Sequence, residues 1–265
     1  MPVERRANGE VTYFWPFGDE TGAQAAEPVN AALGHTVTVR FTGERYCVRC
    51  GRPTTKTFGE GFCYPCFRDA PEAGECIVRP ELCRAHLGGG RDPQWEQDNH
   101  NQPHAVYLAV TSAVKVGVTR ETQIPVRWID QGAAAAVQIV RTPYRQLAGE
   151  IEVALKTAFT DKTNWQRMLK NETLDTVDLS AEMEKVRETL PDQFHQYLLP
   201  DSLLVLTTMK YPVSRYPLKV KSVNLEKEGS ITGILSGVRG QYLMFDEERV
   251  VNVRRHSGLV IAISW

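Results

Sequence analysis

The chain has 265 residues, is 42% hydrophobic and 24% charged, and carries a formal net charge of −1. Those values describe an ordinary globular composition with room for two or three domains, and they exclude disorder, collagen and coiled coil. The start, MPVERRANGE, has no apolar signal-peptide core, and nowhere do eighteen apolar residues run together; the expectation is a cytoplasmic protein with no membrane partner. The near-neutral total hides an uneven distribution. Lys and Arg against Asp and Glu number 11 to 14 over residues 1–104, 9 to 5 over 105–170, 2 to 7 over 171–200 and 9 to 6 over 201–265. Phosphate-bearing partners are therefore allowed in the middle and at the C-terminal end, although the excess is small for a nucleic-acid binder.

In chain order, EVTYFW (10–15) and TVTVRFT (36–42) are β-branched and aromatic and read as strands. The six cysteines follow, all between Cys47 and Cys83. CVRC and CYPC, separated by twelve residues, place Cys47, Cys50, Cys63 and Cys66 on two tight turns that can face each other. Two such knuckles predict a closed tetrahedral site for structural zinc. Two disulfides would not suit a reducing compartment, and a redox CxxC needs no second copy. ECIVRPELCRAH adds Cys76, Cys83 and His86 as candidates for a second zinc, with His100 or His104 of NHNQPH as the fourth ligand; buried thiols and a surface histidine are the plainer alternative. The Gly- and Asp-rich stretch 87–104 reads as a linker or exposed loop.

From residue 105 the pattern changes. VYLAVT and AVKVGVT read as a hairpin, Thr122 as the cap of a short helix with Pro125 in its first turn, and AAVQIV as a third strand. Thr142 and Pro143 open a longer helix in which Leu147, Ile151, Ala154, Leu155 and Ala158 form one apolar stripe, and a further helix is expected near 163–170. The acidic piece 171–202 reads as a helical connector. Beyond it LLVLTT, KVKSVNL, ITGILSG, GQYLMF, RVVNVRR and LVIAISW are short strands, for which a small antiparallel barrel or sandwich is the natural home. Arg239, Arg249, Arg254, Arg255 and His256, with Tyr242 and Phe245 between them, form either a single-strand-binding face or an ordinary core stripe with a charged outer side.

The expected architecture is α+β and multi-domain: N-terminal strands (1–45) able to join the C-terminal sheet, a zinc-binding region (46–104), a compact β-β-α-β-α-α unit (105–170), the connector and a C-terminal β domain (203–265). The order of elements in 105–170, with Tyr107 in the first strand, K-V-G-V-T ending the second, an arginine in the next helix and E-x-x-L-K-x-x-F in the one after, resembles the GIY-YIG nuclease superfamily in its divergent branch. Zinc knuckles ahead of this unit and GVRGQYLMFDEERVVNVRRHSG behind it also make the whole chain similar to an uncharacterised bacterial family.

The nuclease resemblance covers about a quarter of the chain. It implies a phosphodiesterase dependent on Mg or Mn, acting on DNA or RNA, with Tyr107 beside the attacking water, Arg127 on the phosphate and Glu152 holding the metal. Arg127 falls two residues later than the usual spacing, Arg120 is the alternative, and Lys115 stands where the family has its second tyrosine, suited to gripping phosphate. Set against this, Tyr107 is also an ordinary strand aromatic, Glu152 a natural i,i+4 partner of Lys156, and helical phase does not separate Glu152 from Glu150. The rival functions are a binding module that kept the fold and lost the chemistry, and a zinc-stabilised scaffold that contacts protein.

Overall fold

The computed structural model describes residues 1–18, 24–172 and 177–265, and these group into two units. The first unit is made from both ends of the chain, residues 1–68, 169–171 and 209–265; the second comprises 69–168 and 172–208. The segment 69–104 thus groups with the α/β unit, apart from the cysteine knuckles that precede it. Among the described residues no helix is long and apolar enough to cross a membrane.

The first unit opens with an antiparallel three-stranded sheet, β1 (Val3–Arg5), β2 (Val11–Gly18) and β3 (Gln24–Pro28), in that spatial order. Strand β4 (Thr36–Arg45) leaves this sheet and becomes part of another. Its alternating buried Val37 and Val39 show the period of two expected of a strand with one face in a core. After the knuckles and a short helix, α1 (Tyr64–Asp69), the chain enters the second unit.

There α2 (Pro93–Asn99) interrupts what the sequence suggested was a loop. Asp92 caps it by accepting from the Trp95 amide at 3.1 Å, and Pro93 occupies its first turn, where a missing N–H costs nothing. Strands β5 (His104–Val110) and β6 (Val114–Arg120) form the hairpin, and β7 (Ala135–Thr142) pairs on the other side of β5. Every residue of β5 is buried, which suits the apolar run VYLAV at the centre of a sheet. The short helix is α3 (Val126–Asp130), which starts after Pro125; Thr122 lies in a preceding 3₁₀ turn and does not cap it. Helix α4 (Arg145–Leu155) lays Leu147, Ala148, Ile151 and Leu155 on Val106, Leu108, Val116 and Ile139. Helices α5 (Trp165–Leu169) and α6 (Leu179–Thr189) follow, and Met183 and Val186 of α6 join the same core. Thr207–Thr208, β8, ends the unit as a two-residue edge on β7.

The chain then returns to the first unit with β9 (Lys221–Ser222), α7 (Leu225–Glu228), β10 (Ser230–Arg239), β11 (Tyr242–Phe245), β12 (Arg249–Asn252) and β13 (Leu259–Ser264). These complete a six-stranded sheet in the order β13-β4-β10-β11-β12-β9, with β9 and β12 parallel and the other pairs antiparallel. The expected barrel does not form. The sheet runs open from β13 to β9, because β4 enters from the N-terminal end and β9 is only two residues long, too short to carry the pairing round to a closure.

Candidate functional sites

The first knuckle, Cys47 and Cys50, turns through Gly51 at φ 67°, and the Cys50 and Cys63 sulfurs approach to 3.9 Å. The sulfurs of Cys47, Cys50, Cys63 and Cys66 all lie within 4.8 Å of one another. A disulfide would bring two sulfurs to roughly 2.05 Å. Sulfurs held at about 2.3 Å from one tetrahedral ion are roughly 3.8 Å apart, so the cluster has the dimensions of a zinc site. Burial acts to raise the Cys47 thiol, but backbone N–H groups of Cys50, Cys63 and Arg49 win and bring it down to about 6, which prepares a thiolate ligand. Gly61 allows a close approach that any side chain would block, since its Cβ would meet Val48 Cγ1 at 2.6 Å and the Ser257 carbonyl at 2.8 Å. The donor set and dimensions fit structural zinc, and with four thiolates it leaves no open position for catalysis.

The remaining cysteines belong to a second cluster in the α/β unit. Cys76 and Cys83 place their sulfurs 3.8 and 3.6 Å from Nδ1 of His100, and Glu96 Oε2 contacts the same nitrogen. His86, the candidate raised by the C-x-x-H spacing, is not among these donors. Its 3₁₀ turn (Ala85–Leu87) carries it onto Tyr144, where the two rings stack at 4.4 Å and 6°. His104 is also apart: its Nδ1 faces the Gln102 carbonyl at 2.7 Å, and burial pushes its pKa down to about 3. Glu96 takes the fourth place because it sits on α2 one turn before His100, the C-cap residue of that helix.

The resemblance-based residues come from four elements of the same unit. Tyr107 of β5 is fully buried, its ring 6.0 Å from that of Trp128 on α3, and a Cβ at Gly117 of β6 would lie 2.6 Å from its hydroxyl. That hydroxyl, Trp128 Nε1 and Gln131 Oε1 are buried without a hydrogen bond of ordinary geometry. Burial raises the Tyr107 pKa; the nearby Arg127 and Gln131 side chains act against this and Glu152 adds to it. Lys115, 6% exposed, is brought down to about 8, first by burial and then by the Arg127 guanidinium, with Glu152 and Asp161 pulling the other way. Glu152 is buried on α4, and burial raises its pKa against the pull of Lys156 and Lys115. Lys156 Nζ lies 3.4 Å from Glu152 and 3.2 Å from Asp161. Glu150, the phase alternative, is half-buried and takes a hydrogen bond from Gln146.

Arg120 stands away from this group. Five residues along β6 from Lys115, roughly 17 Å in an extended strand, its Nη1 donates to Asn99 Oδ1 at 2.7 Å. Of the C-terminal basic residues Arg255 is exposed, and the other four are already engaged. Arg239 is buried, bonded to Asn171 and stacked on Tyr211; Arg249 pairs with Asp246, Arg254 with Glu60 at 2.6 Å, and His256 Nε2 accepts from the Leu225 amide. Asp161 and Gln131 are the members of the α/β cluster that sequence patterning missed, since each lies beyond the helix or turn whose pattern drew attention.

A family model described as "Protein of unknown function (DUF2797)" matches residues 34–261, which takes in both cysteine clusters and the whole α/β unit, and the chain belongs to that family. No curated protein and no solved structure matches the chain.

Proposed function

We propose that this DUF2797 protein binds nucleic acid, with its α/β unit gripping a phosphodiester through a divergent GIY-YIG-like site and its paired cysteine knuckles holding structural zinc. The observation that carries this reading is the common electrostatic neighbourhood of Tyr107, Lys115, Arg127 and Glu152, which arrive from β5, β6, α3 and α4 in the order the resemblance requires. With Lys115, Arg127 and Lys156 against Glu152 and Asp161, the group carries one net positive charge when ionised, matched to one phosphodiester. Arg127, half-buried, supplies the two-pronged donor, and the buried Lys115 near it supplies a point charge. The Tyr107 hydroxyl and Trp128 N–H, which lack well-formed hydrogen bonds, are donors left for a ligand.

A catalytic Mg or Mn does not fit the side chains as they stand. The Lys156 ammonium lies between the two carboxylates, where a divalent ion would have to sit, so no chemical step is routed through such an ion. Phosphodiester hydrolysis is nevertheless the second reading, favoured by the Tyr107, Arg127 and Glu152 set; it requires Lys156 to swing away.

Labelled single- and double-stranded DNA and RNA, with and without Mg or Mn, separate the two. Binding is expected, and Arg127→Ala should weaken it about tenfold. Cleavage that needs the metal and vanishes in Glu152→Ala would establish hydrolysis. Failure to bind any of the four substrates would sink the proposal.

A further inference from the structure

We propose that Cys76, Cys83, Glu96 and His100 form a second zinc centre, whose role is to fasten the 71–100 segment to helix α4. This goes beyond the phosphodiester reading and stands independently of it. The four donors lie within 4.8 Å of one another. For a tetrahedral ion with Zn–S near 2.3 Å and Zn–N near 2.05 Å, the sulfur-to-nitrogen edge is roughly 3.6 Å, against the 3.8 and 3.6 Å found here.

Burial points the same way. Cys83, Glu96 and His100 are each at most 3% exposed, and a carboxylate and an imidazole are poor companions for two thiols in a core unless something binds them together. The surroundings are built for these side chains. Gly90, at φ 139°, leaves room for Glu96, whose Cγ would be 2.3 Å from a Cβ there, and Trp95 covers the His100 ring edge-on at 5.0 Å.

Charge balance completes the case. On binding, the two thiols release their protons to solvent and His100 coordinates through the Nδ1 lone pair. Two thiolates and a carboxylate around Zn²⁺ leave one negative charge. Arg145, the first residue of α4, lies beside them and donates to the Cys76 carbonyl at 3.1 and 3.0 Å and to the Ile77 carbonyl at 2.9 Å. Its guanidinium brings the centre and its nearest shell to neutrality. One turn further, Gly149 brings α4 against the backbone of Pro80 and Glu81, in the loop between the two cysteines.

Metal analysis of the full-length protein purified without added metal should find about two zinc ions per chain, falling to about one in Cys83→Ser and staying at two in His86→Ala. Because Cys83→Ser risks misfolding, the wild-type protein supplies a second readout: Cys76, the more exposed thiol, should resist alkylation until a chelator is added. One zinc per chain, with Cys76 alkylated equally fast before and after chelation, would overturn the proposal. Loss of the second zinc in His86→Ala would overturn this ligand set.

Discussion

Lys115→Met tests whether the α/β cluster is held ready at a cost to stability. Lys115 is 6% exposed and titrates near 8 in the fold, against 10.5 for a free lysine. A depression of that size corresponds to about 3 kcal/mol of unfavourable environment for the ammonium at neutral pH. The attraction of Glu152 and Asp161 is already included in the net shift, so the burden comes from burial and from Arg127. Between pH 8 and 10.5 the unfolded chain binds the proton that the folded chain has released, so raising the pH through this window stabilises the wild type. Methionine, similar in length and uncharged, removes the burden at all pH values. The variant should therefore be about 1–3 kcal/mol more stable at pH 7, at roughly 2–4 °C of melting temperature per kcal/mol, and its advantage should shrink as the pH approaches 10.5. Unfolding of the two proteins by urea at about pH 7, 8, 9 and 10 measures this directly. A variant less stable at neutral pH, or a difference that does not change with pH, would refute the account of a strained, buried ammonium. Nucleic-acid affinity should fall in the same variant, which would make stability and binding move in opposite directions.

Gly117→Ala forces a methyl to within 2.6 Å of the Tyr107 hydroxyl and 2.7 Å of its Cζ; the ring has no exposed side to retreat to, and urea unfolding should show a loss of about 1–3 kcal/mol. Gly149→Ala would ordinarily stabilise a helix by about 1 kcal/mol. Here the new Cβ would stand 2.2 Å from the Glu81 amide nitrogen, so the variant should instead lose stability and expose residues 71–100 to hydrogen exchange, and unchanged exchange there would argue against the docking of that segment on α4.

The parts of the fold that were legible in the sequence are those whose pattern and partners coincide. The β5–β6 hairpin is joined by a three-residue turn, and the stripe on α4 finds β5, β6 and β7 beside it. LLVLTT has strand propensity but no edge to pair with beyond its last two residues; Leu203, Val205 and Leu206 are 58%, 68% and 42% exposed. KVKSVNL likewise contributes only Lys221 and Ser222 to a sheet before Asn224 caps α7. Barrel closure was not readable because it depends on how the two edges of the sheet end: β4, from the N-terminal part, pairs with β10 through Arg40 and Ser230 and with β13 on its other side, while the opposite edge is the two-residue β9. The second cluster shows a different limit. Cysteine and histidine spacing drew attention to His86, whereas the signal for Glu96 was an E-x-x-x-H on a capped helix hidden inside a Gly- and Asp-rich stretch.

Helix α4 is where these observations meet. Its first turn contains Arg145 and no acidic residue, the wrong sign for the positive end of a helix dipole. That placement makes physical sense when the guanidinium answers to the Cys76 and Ile77 carbonyls and to the negative charge gathered around the second cluster. Seven residues on, roughly 10 Å along the axis, Glu152 faces Lys115 and Lys156. The 71–100 segment therefore docks on one end of the helix whose other end carries Glu152. Gly149 lies between the two, at the point where the loop touches the helix, so the position of Glu152 depends on a contact that neither cluster contains.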